Sequence, residues 1–473
     1  MRMPFLPSRS LPGAFVALLS GLALGAQSPI GIIISEQSRT AFSVQGAGAR
    51  AAGLGGAFIA VADDATAVSF NPAGLAQLLK PEVSFVSRGY RRDVAYEDVE
   101  TTAGAKRLLV GDSLISSSRF DPLFFSGSVP LLIGDRTLAL QLSLQRLIPL
   151  GERDSRDLEE YPATSSPGAA SSALKQSIDQ SGQIDLYSFA ASYEVSQRIL
   201  AGIAVNIWRG KWDLASQSFK TTGATTSFVN FRQSNRLEGI NYNLGLIWRW
   251  PTWSMGLVHR TAFHGDYTFG TSLSTSAHPA PVEMDPTPTG LHWPATTGVG
   301  FAYRPKENWL ATADFTYTPW SKARYMTPNK SLNGLSFFDL DKGTRTPNAT
   351  DFRLGVEHLI LTGAGSVVPL RVGFSREPQP VVDRVTSEQR VVYGLSLGSG
   401  LKRGSVTVDV AYRYGWGRRR ASQFLDVDQI ISNTPPTSLG TERLREHKLD
   451  LSFIVQFEQQ PVAKALRHLF VGD

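Results

Sequence analysis

"VTVDVAYRYGW", Val406 to Trp416, carries the pattern on which the fold turns. Val406, Val408, Val410, Tyr412, Tyr414 and Trp416 fall on one face, and Thr407, Asp409, Ala411 and Arg413 on the other. Side chains of a strand point alternately to its two faces, whereas a helix would scatter these residues around its axis. The same period of two runs through "KLDLSFIVQF" (448–457), "RTLALQLSLQRL" (136–147) and "INYNLGLIWRW" (240–250). Segments of this kind predict strands near 81–92, 119–130, 136–149, 184–194, 198–212, 236–250, 252–269, 295–304, 308–320, 350–361, 368–376, 390–399, 404–416 and 445–458. That is about fourteen, and an even count returns both chain ends to one side of a barrel. Connections alternate between short ("VSQ", "PT", "PKEN") and long (roughly 93–118, 150–183, 213–235, 270–294, 321–349, 377–389 and 417–444). Short turns opposite long loops are the asymmetry of an outer-membrane barrel. The fold class expected is therefore all-β: a closed antiparallel transmembrane barrel.

Composition agrees. The 473 residues contain 9 Trp, 13 Tyr and 25 Phe, yet mean hydropathy is only −0.10, because apolar and polar residues alternate and cancel. No stretch of about 18 apolar residues follows the leader, so no helical span is expected. Arg2, Arg9 and the apolar run Leu11 to Ala26 have the layout of an export signal over 1–26. With no cysteine, stability rests on burial and backbone pairing. The net charge of +6 is scattered rather than gathered on a recognition element, so nucleic acid is not an expected partner. Surplus Arg and Lys in loops instead suit anionic lipid, lipopolysaccharide included. Trp248, Trp250, Trp253, Trp309, Trp320 and Trp416 lie towards strand ends, as interfacial girdles do.

Residues 27–79 differ in kind: rich in Gly and Ala, without sustained alternation. Gly46-x-Gly48-x-x-Ala51 approaches a dinucleotide fingerprint but lacks the βαβ context that would give it meaning. Asp63 and Asp64 have no neighbouring ligands at metal-site spacing, so they read as capping or turn residues. Asn71 reads as a helix cap, Pro72 as a first helical residue, and "AGLAQLL" as a short helix. Gly55, Gly56 and Gly74 permit tight turns and close approach. A compact segment ahead of some fourteen strands fits inside the lumen as a plug, giving a leader at 1–26, plug at 27–79, barrel at 80–458 and periplasmic tail at 459–473.

"GARAAGLGGAFIAVADDATAVSFNPAGLAQL" (48–78) resembles the hatch signature of the FadL/TodX family of outer-membrane channels for long-chain fatty acids and aromatic hydrocarbons. Asn71-Pro72-Ala73 looks like that family's hatch motif, and likeness continues through 242–250, 291–321 and 369–383. The resemblance implies fourteen strands, a lumenal hatch, no cofactor, and passive delivery of small hydrophobic molecules through a gap in the wall near the third strand. Here that strand runs into Pro149-Leu150-Gly151, and proline cannot donate to a ladder, so a local break is expected there, with Pro149 and Gly151 as the candidate exit. Lipid of the outer membrane and the barrel-assembly machinery are the other partners implied, for a monomer. The tail after Phe457 and the loops depart from the family pattern; within the loops, "LNGLSFFDL" (332–340) is a candidate apolar groove.

Asp314, Arg353, Glu357, Arg371, Asp409, Arg413 and Asp450 fall on the face opposite the apolar one, hence in the lumen. They read as compensating pairs that keep a wet interior satisfied, ahead of a polar track or a latch on the hatch. The seven histidines are scattered and no G-x-S-x-G elbow occurs, so no enzymatic constellation is expected. The main rival is a PorV-type barrel that serves secretion or attachment and shares the Gly-rich and Asn-Pro-Ala-Gly segment.

Overall fold

The computed structural model describes residues 46–97, 99–103, 106–110, 113–162, 172–326, 333–334, 346–362, 365–382, 388–421 and 440–458. The leader expected over 1–26, residues 27–45, most of the 332–340 stretch and the tail expected over 459–473 lie outside the described residues.

Twenty strand segments follow in chain order: β1 (Glu82–Glu97), β2 (Val99–Ala103), β3 (Lys106–Val110), β4 (Ser113–Ile133), β5 (Arg136–Pro149), β6 (Glu152–Pro162), β7 (Ser172–Ser196), β8 (Ile199–Thr222), β9 (Thr225–Arg249), β10 (Trp253–Arg260), β11 (Phe263–Thr275), β12 (Val282–Trp293), β13 (Thr296–Lys306), β14 (Trp309–Thr318), β15 (Arg324–Met326), β16 (Ala349–Leu361), β17 (Ser366–Val382), β18 (Gln389–Arg403), β19 (Val406–Ala421) and β20 (Gly440–Gln456). Four staves of the wall are broken in two: β5 with β6, β10 with β11, β12 with β13, and β14 with β15. β2 and β3 form a hairpin beyond the wall, with β3 against β6. The result is the expected closed barrel of 14 antiparallel strands. β1 pairs with β20 from Glu82↔Gln456 to Glu97↔Thr441, so no edge is left where the chain's two ends meet.

Parity along the strands sorts as the sequence implies. Leu142, Ile203, Leu354, Leu397, Val410 and Phe453 point outward and are exposed, forming an apolar belt. Between them Gln141, Ala204, Gly355, Ser396, Asp409 and Ser452 face inward and are buried. On β8 the outward series changes from Ile203 and Ile207 to Arg209, Lys211 and Asp213, which marks the belt's upper rim.

Three expectations need correction. Much of what the sequence assigned to long loops is strand: β7 begins at Ser172, β8 and β9 meet at Thr222 and Thr225, and β11 and β12 continue through 270–293. These extensions rise past the belt into water, where Ser and Thr replace outward apolar residues and erase the alternation that identifies the rest. Trp320 is not in a girdle but 4% exposed in an interior cluster with Trp208, Trp212 and Trp293. The "AGLAQLL" helix is a 3₁₀ helix over Pro72–Gln77.

Candidate functional site

Residues 46–79 sit inside the barrel, where local chemistry makes them compact. The short helix α1 (Ala49–Gly53) ends in a turn at Gly55 (φ +68°) and Gly56 (φ +83°), a left-handed conformation that side chains resist. Asp64 closes the next turn, its Oδ1 accepting from Thr66 N at 2.8 Å and Thr66 Oγ1 at 2.6 Å. Asn71 caps the 3₁₀ helix: its Oδ1 accepts from Ala73 N at 3.1 Å, and Pro72 occupies the first helical position. The Asn71 Nδ2 group faces the other way and donates to Ile59 O (3.0 Å) and Leu246 O (3.1 Å), tying the segment to itself and to β9. Asn71 is 0% exposed, so every bond counts. Asn71→Asp keeps the cap acceptor but turns a carboxylate towards two carbonyls. A loss of about 1–3 kcal/mol is expected from those unmet acceptors, measurable as an earlier unfolding midpoint in denaturant.

The segment touches the wall around most of its circumference. Ala49 N donates to Ser452 Oγ (2.6 Å) on β20, Phe58 N and Ile59 N donate to Asp314 Oδ2 (2.7 and 2.9 Å) on β14, and Ser254 Oγ on β10 donates to Ala60 O (2.9 Å). Gln141 Nε2 on β5 donates to Ala65 O (2.7 Å), and Ser192 Oγ on β7 to Ala73 O (2.8 Å). The backbone comes this close because the facing wall positions are glycine. A Cβ on Gly245 would meet Asn71, Ala73 and Pro72, and one on Gly373 would meet Leu54 and Gly55. Gly74 likewise lies against Ala62, inside the segment.

Inward charges do two jobs. On β16, β17 and β19, Glu357, Arg371 and Asp409 form a chain, with Arg371 Nε 2.6 Å from Glu357 Oε2 and its Nη1 2.6 Å from Asp409 Oδ1. These side chains meet over β18, whose Gly398 and Gly400 leave the space. Arg413 pairs with Glu377 (3.1 Å), Arg353 with Asp351 (3.1 Å), and Arg88 with Asp450 (2.6 Å). Compensation is therefore real, but Glu357 and Asp314 also hold the inner segment: Arg50 Nη2 lies 3.0 Å from Glu357 Oε1 and its Nη1 2.6 Å from Asp63 Oδ1. Asp63, expected to shape a turn, is thus an ion-pair partner. Burial opposes the Arg50 charge, but Asp63 and Glu357 outweigh it and hold its guanidinium well above the ordinary arginine value. Burial pushes the Asp64 carboxyl up, against the pull of Arg50 and Thr66. Arg88, Glu377 and Arg260 were missed by the sequence reading, although counting parity from the nearest outward apolar residue (Phe85, Val372 and Leu257) places each inward.

Two small interior cavities are lined by described residues. The central one, about 70 Å³, is lined by Ile59, Phe70, Val258 and Trp320 beside Arg88, Arg353 and Asp450. The other, about 30 Å³, lies between Val68, Leu147, Leu186 and Trp208. Arg260 borders both, and its Nη2 donates to Ser69 O at 2.5 Å. Among the described residues it has no carboxylate in ion-pair range. Organic ligands need several hundred Å³, so neither cavity holds one in this conformation.

The second cavity reaches Gln145, where the wall itself stops pairing. The β4–β5 ladder ends at Phe124↔Gln145, although β4 continues back to Ser113 and β5 on to Pro149. Above that rung the stave bends at Leu150 and Gly151, Leu150 N donating to Gly182 O (2.9 Å) on β7. Side chains alone bridge the seam among the described residues: Arg119 Nη1 donates to Gly151 O (2.7 Å), and Arg146 lies 3.3 Å from Asp121. Ser69 Oγ, on the inner segment, donates to Gln145 Oε1 at 3.0 Å on the seam's lower corner.

A closed barrel with an apolar exterior and residues 46–78 packed inside it defines the class: a transmembrane β-barrel. This is the FadL/TodX fold. A FadL homologue of Pseudomonas aeruginosa superposes with a TM-score of 0.58 at 12% identity, over 85% of this chain and 96% of that one. The toluene transporter TodX of P. putida gives 0.55 at 14% identity, covering 88% and 100%. The monoaromatic hydrocarbon channel CymD gives 0.51 at 15% identity, covering 88% and 99%. No family model and no curated protein sequence matches the chain.

Proposed function

We propose that the protein is an outer-membrane channel for passive uptake of small hydrophobic molecules, in which residues 27–79 form a hatch and the solute leaves sideways through the β4–β5 seam at Pro149-Leu150-Gly151. The observation that carries this is the unpaired seam directly beside an interior cavity. In lipid an unpaired ladder costs several kcal/mol for each unmet group, so a gap there needs a use. The FadL homologue, TodX and CymD share the architecture; TodX is a toluene transporter and CymD a monoaromatic hydrocarbon channel. Arg260 favours an anionic amphiphile, such as a long-chain fatty acid, over a bare hydrocarbon. A carboxylate there neutralises an arginine that, among the described residues, has no ion pair, while Phe70 and Trp320 receive the tail. Lipopolysaccharide surrounds the belt, and the chain works as a monomer without a cofactor.

The chain has no cysteine, which makes a crosslink simple to read. Asp121→Cys with Arg146→Cys, joined by a short bis-maleimide, closes the seam. Uptake of labelled oleate into cells should fall to the level of cells lacking the protein, with the uncrosslinked double variant still active. Equal uptake with the seam locked removes the lateral exit. Arg260→Met should slow oleate but not toluene; equal slowing of both would assign Arg260 to structure rather than to selection.

A further inference from the structure

On the outer face of the wall, His264 of β11 and His292 of β12 stand directly opposite each other in antiparallel register. Their ring centroids are 4.8 Å apart and the two Nδ1 atoms 3.4 Å. That separation is longer than a good hydrogen bond of about 2.7–3.2 Å, so the rings are not held together by a strong bond. It matches something else. Two imidazole nitrogens at about 2.0–2.1 Å from one tetrahedral zinc ion lie roughly 3.3 Å apart. The ladder holds the two backbones, so a metal ion would find both ligands in place. Antiparallel pairing thus supplies the preorganisation that two histidines in a loop lack.

We propose that His264 and His292 form a two-histidine binding site for a divalent transition-metal ion, with zinc the ion its geometry suits. Among the described residues no group of three metal-ligating side chains occurs, so water completes the coordination shell. Asp266 lies two residues along β11, while Arg324 of β15 is the register partner of His292 and Lys322 is near enough to act on it. Two cations against one carboxylate weaken the hold on a dication. The site therefore exchanges metal rather than retaining it as a structural zinc would.

Its place gives it a consequence. Asp266 pairs with Glu238 of β9, and the next outward residue of β9 is the apolar Ile240, so the two histidines lie at the upper rim of the belt. Both staves resume just there after their breaks, β11 at Phe263 and β12 ending at Trp293. Phe263 and Trp293 point inward, stack on each other and lie tilted against Trp208. Metal bound outside thus clamps together the two strands that carry the aromatic cluster inside.

The untagged full chain in detergent micelles, titrated with zinc chloride at pH 7.5 in a calorimeter, should show one saturable site per chain. Zinc should also raise its unfolding temperature. His264→Ala and His292→Ala should each abolish both effects, while His278→Ala, an exposed histidine elsewhere, leaves them intact. Because metal and protons compete for the same ring nitrogens, lowering the pH should weaken binding in the wild type. Should an alanine variant fail to fold, His292→Gln retains a polar partner for His264 and serves in its place. Absence of saturable binding in the folded wild type overturns the proposal, as does binding that survives both substitutions.

Discussion

Valine in place of Gly245 will drive the inner segment off the wall and leave an open pore. A Cβ at that position falls 2.9 Å from both Ala73 N and Pro72 Cδ, and also meets the Asn71 carboxamide. The contacts are with a capped turn whose backbone is fixed by Asn71 and Ser192 rather than with the free end of a flexible side chain. Ordinary overpacking costs about 1–3 kcal/mol because neighbours shift; here the turn has Ile59 and Val61 behind it and little room to shift. The strand itself tolerates valine well, since β-branched residues suit a pleated wall. The barrel should therefore assemble, run as a folded band on a heat-modifiability gel, and conduct ions in a planar bilayer where the parent is silent. Protease added from outside should cut within 46–79 in the variant alone. A silent channel with parental stability would show that the turn does not depend on the close approach.

Arg371→Met should cause the largest loss of stability among the lumen charges. Arg371 is 5% exposed and spans Glu357 and Asp409, which are themselves 3% and 2% exposed. Removing one member of a buried ion network leaves uncompensated charge, worth about 3–5 kcal/mol. Glu357 keeps Arg50, so the burden falls on Asp409, for which no other ion pair is present among the described residues. The double variant Arg371→Met, Asp409→Leu should recover much of the loss, because replacing a whole pair by apolar volume is often close to neutral. Urea titrations of the three proteins in detergent decide this. If the single and double variants unfold at the same midpoint, the pair is not the source of the effect.

The wall was largely legible because lipid leaves the sequence little freedom. Val410, Tyr412 and Trp416 face outward and Asp409, Ala411 and Arg413 inward, as alternation required. Legibility failed where lipid no longer imposes the pattern. β8 and β9 run on for 24 and 25 residues, and their upper halves carry Ser, Thr and Asn on faces that water touches. The inner segment was legible as compact and capped at Asn71, but its sockets were not. Gly245 and Gly373 look in sequence like weak points of a strand, and only the fold shows that an absent side chain is their contribution. The seam was legible solely as Pro149 and Gly151. Its bridging residues Arg119 and Asp121 stand on β4, thirty residues earlier, and nothing local in the sequence links them.

The wall is sealed by its first strand against its last, and this fixes an order of events. Ala49 rests on Ser452, so a residue made early waits for one made near the end of synthesis. Pairings so distant along the chain form slowly. Throughout that interval the future occupant of the interior is outside it, in water. A stretch of small residues, with Phe58 and Phe70 as its only aromatics between 46 and 79, can wait there without aggregating. A chain cut short before β20 lacks both the strand that seals the wall and the Ser452 hydroxyl on which Ala49 rests.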